Sequence, residues 1–278
     1  METPTQKFSI EFFPPRTEVG EAKLDKVHED LAKLNPDFFS VTYGAGGSTR
    51  DGTRQIVLRY HEAGSTLAPH LSFGGSGEDD IRQLLAEYKS AGIKSLVALR
   101  GDIPSGMGSA VQHRYANELV EFIRKETGDH FHIDVACYPE IHPESDTVDT
   151  EIKFFKQKVN AGANSAITQY FYNADAYFRF RDLCDKAGIT IPIVPGIMPV
   201  LNLKQSQRFT KMCGASLSDS LLAKFDGVQE DPEKVREIGI NHAIDQCRDL
   251  LRSGAPGIHF YTLNRSKATL AILEHLQG

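Results

Sequence analysis

The sequence predicts an α/β protein, a single (β/α)8 barrel of the TIM type, on three observations. Eight short apolar runs are spread along the chain. Segments with apolar residues at helical spacing separate nearly all of them. Helix stops recur just before the next apolar run, at Ala63-Gly64, Gly92, Ala161-Gly162 and Ala187-Gly188. This recurrence reads as one βα unit repeated, and eight such units close a parallel sheet on itself. The 278 residues match a single barrel of about 250 residues.

In chain order, the expected strands are Lys7–Phe13, Phe38–Tyr43, Leu67–Phe73, Ser95–Arg100, Ile133–Tyr138, Ser165–Phe171, Ile191–Ile197 and Ile258–Thr262. Pro14 and Pro15 end the first strand, because neither can donate to a ladder. The helix over Asp80–Ala91 is carried by Ile81, Leu84, Leu85 and Tyr88, with Ser76 and Asp79 fitting a capping box and Gly92 its end. Extra helices at Leu203–Met212, Leu217–Phe225 and Pro232–Arg252 fill the interval between strands 7 and 8. The Gly- and Pro-containing stretch Gly101–Gly108 reads as a mobile loop. Nothing resembles a linker, so residues 1–278 are expected to be one catalytic domain without a regulatory domain.

Composition narrows the function. An apolar fraction of 40% with 24% charged residues is ordinary for a globular protein, and no run of about 18 apolar residues would span a membrane. A net charge of −6 disfavours nucleic acid as a partner. Cys137, Cys184, Cys213 and Cys247 lack CxxC spacing, and the polar N-terminus lacks a secretory core, so a cytoplasmic protein is expected. His130-Phe131-His132 precedes its strand and falls at the barrel end opposite the ligand side, so no metal site is expected.

The C-terminal strand ends of such a barrel carry its ligand site. Collected there are Glu11, Thr42, Tyr43, His70, Arg100, Asp102, Tyr138, His142, Gln169, Asn264 and Arg265. Singly they have structural explanations: His70 as a core histidine, Gln169 as an interior hydrogen bonder, Arg100 and Asp102 as a pair across their turn. Together at one end they read as a binding site. Glu11 is the most informative. A carboxylate in the apolar run Phe8–Phe13 is costly to bury alone, and an apolar surrounding favours its protonated, proton-donating form. The loop Gly44–Thr49 reads equally as a phosphate cradle or a flexible turn; it is not GxGxxG and no Walker lysine follows.

The motifs Ser9–Arg16, Val41-Thr42-Tyr43-Gly44-Ala45, Ala68-Pro69-His70, Ala98-Leu99-Arg100-Gly101-Asp102, Tyr138–Glu144, Ala161–Asn164 with Thr168-Gln169, and His259–Arg265 resemble the methylenetetrahydrofolate reductases, in order and over nearly the whole chain. It looks like the short bacterial form. The resemblance implies reduction of methylenetetrahydrofolate to 5-methyltetrahydrofolate by NADH or NADPH, with non-covalent FAD carrying hydride in a ping-pong cycle, in one-carbon metabolism and methionine supply. It also implies a homo-oligomer. Carried onto matching positions, Thr42, Tyr43, His70, Arg100, Gly101, Asp102, Tyr138, His142, Glu151 and Lys158 would hold FAD. Gln169, Gln205, Phe209, Tyr261 and Arg265 would contact folate or nicotinamide. Glu11 would protonate the folate, and Asp102 would stabilise the cation formed when its ring opens.

Overall fold

In a computed structural model, residues 7–43, 50–73, 77–101 and 115–277 are described. Asp102 and the loops Gly44–Thr49 and Gly101–Gly108, the latter beyond Gly101, lie outside them, as does Ser76. Six strands run parallel and pair in chain order: β1 (Lys7–Phe12), β2 (Phe38–Val41), β3 (Leu67–Leu71), β4 (Ser95–Ala98), β5 (His132–Cys137) and β6 (Ser165–Thr168). The last strand, β9 (Gly257–Tyr261), returns to pair with β1. Glu11 therefore sits in a strand flanked on both sides and not at an edge.

The seventh expected strand is two pieces. β7 (Ile193–Val194) pairs with β6, and β8 (Gly196–Ile197) pairs with β9. Pro195 separates them, because it has no N–H to contribute. The break is bridged all the same: the Pro195 carbonyl accepts from the His259 N–H at 2.9 Å, and the Gly196 N–H donates to Thr168 Oγ1 at 2.9 Å. Nine parallel strands thus nearly close the barrel.

Helices α1 (Glu18–Ala32), α2 (Arg50–Glu62), α3 (Glu78–Ala91), α4 (Ala116–Thr127), α5 (Val148–Asn160) and α6 (Ala174–Lys186) alternate with the strands. The expected extra helices follow as α7 (Leu203–Cys213), α8 (Asp219–Ala223) and α9 (Pro232–Arg252), and α10 (Lys267–Gln277) comes after β9. The capping box lies one residue later than the sequence suggested. The Asp80 carboxylate accepts from the Gly77 N–H at 3.2 Å, and glycine has no side chain to complete the pair. Several strands end before their apolar runs do, so Thr42, Arg100 and Gln169 belong to the loops at the rim.

Strand alternation sorts the residues into two environments. Phe8, Ile10 and Phe12 of β1 point outward into the main core, where Phe12 stacks on Phe39 at 5.1 Å. The inward face holds a small apolar cluster of Ala68, Val97 and Ile167, joined by Phe38, Leu99 and Tyr261. Many other inward positions are polar: Ser9, Glu11, Ser40, His70, Asp134, Ser165 and His259. Barrels ordinarily fill this space with branched aliphatics.

Candidate active site

Two residues just beyond the neighbouring strand β9 fix the end of β1. Thr262 Oγ1 donates to the Glu11 carbonyl at 2.8 Å. The Asn264 side chain clamps Phe13, accepting from its N–H at 3.0 Å and donating to its carbonyl at 2.8 Å. Leu263 and Asn264 have φ of 50° and 56°, a left-handed turn that asparagine tolerates and leucine resists. The turn brings the Asn264 amide back onto β1.

Held this way, the Glu11 carboxylate faces two histidines. Its Oε2 lies 3.4 Å from His70 Nε2 and 3.9 Å from His259 Nε2. The Glu11 side chain keeps 19% exposure, while those of His70 and His259 keep 8% and 1%. Burial lowers the His70 pKa; Glu11 opposes that, His259 adds to it, and Asp134 opposes it. A neutral imidazole therefore stands beside Glu11 at neutral pH, a group able to pass or accept one proton. His259 is held from behind by Ser9, its Nδ1 being 2.7 Å from the Ser9 hydroxyl.

Above this floor opens a cavity of about 440 Å³, lined by Glu11, Thr42, Tyr43, His70, Tyr138, Gln169, Phe209, Tyr261 and the newly placed Tyr170, Met198, Met212, Cys213 and His259. Gln205 and Arg265 line a smaller recess of about 20 Å³ that shares Phe209 and Tyr261 with it. Extra helix α7 supplies Gln205 and Phe209, which explains why this barrel carries an insertion there. Gly239 of α9 packs onto the Val200 backbone with no room for a Cβ, which seats that insertion on the barrel.

Arg100, His142, Glu151 and Lys158 form a flank beside the main cavity. Arg100 forks onto the Glu144 carboxylate, with Nη2 to Oε1 at 2.7 Å. Glu151, buried at the start of α5, accepts from the His142 N–H at 3.3 Å and the Ser145 hydroxyl at 2.8 Å, ordering that loop. The Lys158 ammonium donates to the Ala136 carbonyl at 2.6 Å and lies 5.9 Å from the Tyr138 ring centre. Burial lowers the Lys158 pKa, with Glu151 the main opposing influence. Gly101 adopts φ of 79°, a turn suited to glycine, just before Asp102.

The residues fit a flavin nucleotide in kind. Tyr43 Oη and His70 Nε2 are buried, line the cavity and have no protein hydrogen-bond partner. Flat aromatic walls and two cationic side chains at one flank suit a ring system joined to a diphosphate.

The decisive comparison is with protein families: residues 1–277 match the family model of methylenetetrahydrofolate reductase. The chain belongs to the methylenetetrahydrofolate reductase family, whose members are oxidoreductases. It is 42% identical over 96% of its length to the 5,10-methylenetetrahydrofolate reductase of Escherichia coli, covering 90% of that protein. It is 37% identical to methylenetetrahydrofolate reductase (NADH) 1 of Zea mays, of which it covers 48%. Among solved structures, a Clostridium thermocellum protein described as binding two copies of 5-methyl-5,6,7,8-tetrahydrofolic acid shares the fold, with a TM-score of 0.67, 18% identity and coverage of 98% of this chain and 93% of that one. Among the described residues the motifs run to the cavity end of the barrel, except Ala161–Asn164, which precedes β6 at the opposite end. The motif His259–Arg265 also carries His259, to which sequence reasoning gave no role; its signal was the alternation that puts His259 and Tyr261 on one strand face.

Proposed function

We propose that this reductase binds FAD non-covalently and uses NADH or NADPH to reduce methylenetetrahydrofolate in two alternating half-reactions. The observation that carries the reading is Glu11 at the cavity floor, partly exposed and facing two buried histidines. Opening the imidazolidine ring of the folate requires a proton on its departing nitrogen, and Glu11 delivers it. The neutral His70 ring keeps that carboxyl from being locked in a permanent ion pair. Tyr43, Thr42, His70 and Tyr138 hold the flavin ring, while Arg100, Gly101, His142, Glu151 and Lys158 serve its diphosphate side. When bound, the flavin supplies hydride acceptance and donation. Gln169 and Phe209 take the nicotinamide and the folate in turn, with Gln205, Tyr261 and Arg265 holding the remainder of the folate. The Asp102 carboxylate stabilises the cationic iminium formed on ring opening. A folate ligand in the Clostridium thermocellum protein of the same fold supports this substrate class. The working enzyme is a cytoplasmic homo-oligomer.

The test is optical. The purified protein should be yellow, should bleach on anaerobic addition of NADH, and should regain its colour with methylenetetrahydrofolate. A colourless active protein would make it a flavin-free barrel enzyme. A yellow protein inert to both NADH and NADPH would make it a flavin-binding module.

A further inference from the structure

The inward face of the barrel carries polar groups well below Glu11, and their hydrogen bonds have a direction. His132 stands at the start of β5 with its side chain 50% exposed, at the barrel end opposite the cavity. Its Nε2 is 2.6 Å from the Ser165 hydroxyl, and that hydroxyl donates to Asp134 Oδ1. A serine hydroxyl has one proton, so with that proton on Asp134 the His132 Nε2–H must be the donor at its own contact. The file thus runs inward from solvent: His132, Ser165, Asp134.

Asp134 ends the hydrogen-bonded part, its carboxylate 4% exposed. Its other oxygen, Oδ2, is buried without a protein partner, and so are Ser40 Oγ, His70 Nε2 and His259 Nε2 on the same inward face. Buried groups of this kind take ordered water where a site is polar and roomy. His70 and Asp134 lie in one ladder row with only Val97 between them. Two strand spacings are about 9–10 Å, so a proton crossing here needs ordered water between the two inward side chains, past the apolar Val97. The two groups already feel each other, since Asp134 acts on the charge of His70. His70 Nε2 then lies 3.4 Å from Glu11 Oε2, close enough to pass a proton although the two are not hydrogen-bonded.

We infer that the barrel interior is a proton relay that recharges Glu11 from the face opposite the active site, through His132, Ser165, Asp134 and His70. It rests on the reading of Glu11 as proton donor and gives that donor a route to solvent other than the cavity mouth. One proton enters at His132, each transfer breaks one N–H or O–H bond as the next forms, and one proton arrives on the Glu11 carboxylate. Every relay group ends in the protonation state in which it began. Asp134, Ser165 and His132 are here positioning and supply residues; none touches the cavity.

His132→Ala and Asp134→Asn separate this relay from packing. His132 is half-exposed, so its variant folds even where the buried Asp134→Asn does not. Each variant should leave flavin reduction by NADH within a factor of two. Each should also keep the first folate turnover of a pre-equilibrated enzyme and slow later turnovers ~10-fold with a larger solvent deuterium isotope effect. Added imidazole should rescue His132→Ala. A second readout needs no turnover: in 15N-histidine NMR spectra, Asp134→Asn should shift the His70 titration to lower pH, since Asp134 now opposes the effects of burial and His259 while Glu11 remains. Steady-state rate and isotope effect unchanged in His132→Ala, or a His70 titration unmoved by Asp134→Asn, would overturn the relay. If Glu11→Gln itself left folate turnover intact, the parent reading would fail instead, and that result is distinct from either.

Discussion

The Tyr261 hydroxyl donates to the Thr168 carbonyl at 2.8 Å, reaching from β9 to β6 across the break at Pro195. The barrel cannot close there through its ladder, because the split strand offers each neighbour only two residues. The Tyr261 ring lies over Gly196, and a Cβ on Gly196 would come within 2.5 Å of Tyr261 Cε2. One side chain thus bridges the gap and forms part of the cavity wall.

Tyr261→Phe keeps the ring and removes that bond. The Thr168 carbonyl then loses a buried donor, a change of about 1 kcal/mol. In a domain of this size the melting temperature should fall by roughly 2–4 °C. Calorimetry reads it directly, and an unchanged midpoint would mean that the ring alone closes the gap.

Gly196→Ala should cost more. The added methyl overlaps the Thr168 carbonyl oxygen, a backbone atom that cannot swing away, as well as the Tyr261 ring. Overpacking at such a point costs about 1–3 kcal/mol. The urea midpoint should drop with the slope preserved. A midpoint equal to that of the parent would show that the split strand is free to shift.

Stability should also fall on mild acidification. Burial lowers the pKa values of His28, His70 and His242 from 6.5. In each case the unfolded chain binds the proton more readily, so stability rises with pH across the window between the folded and unfolded values. It is fully present above 6.5 and is lost as pH falls below it. His28 is suited to a test away from the cavity, being stacked on Tyr60 with ring centres 3.9 Å apart and bonded to the Ser65 hydroxyl at 2.8 Å. His28→Gln should lower the melting temperature at pH 8 and flatten its decline between pH 7 and 5.5. A decline as steep as the parent's would assign the acid lability to the other histidines.

Much of this was legible in the chain itself. The glycine stops at Gly64, Gly92, Gly162 and Gly188 all adopt positive φ before the next strand, a conformation that glycine permits without strain. Glu11 stood out because a carboxylate within Phe8–Phe13 contradicts its surroundings. What could not be read is what depends on three dimensions. The apolar run Ile191–Ile197 gives no sign of which neighbour each half will join, although Pro195 marks the break. His259 looks like any strand residue until β9 closes beside β1. The polar interior was hidden for the same reason: Ser9, Ser40, Asp134 and Ser165 are unremarkable in their own segments and meet only when alternation and closure turn them inward.

Glu11→Gln is the sharpest test of the site. The amide is nearly isosteric, and the clamps from Thr262 and Asn264 hold the backbone and not the carboxylate, so the strand end should keep its place. The amide cannot give a proton to the folate nitrogen. Accepting hydride from NADH needs no such proton, so in stopped-flow traces the bleaching of the flavin should stay within a small factor of the parent rate. The return of colour with methylenetetrahydrofolate should slow by ~10²–10⁴, the range for a lost general acid. Because His70 stands 3.4 Å from Glu11, a residual rate that rises as pH falls would identify His70 as a weak substitute donor. Equal slowing of both half-reactions would instead mark damage to the flavin site, and a folate step at the parent rate would leave Glu11 a structural residue held between two histidines.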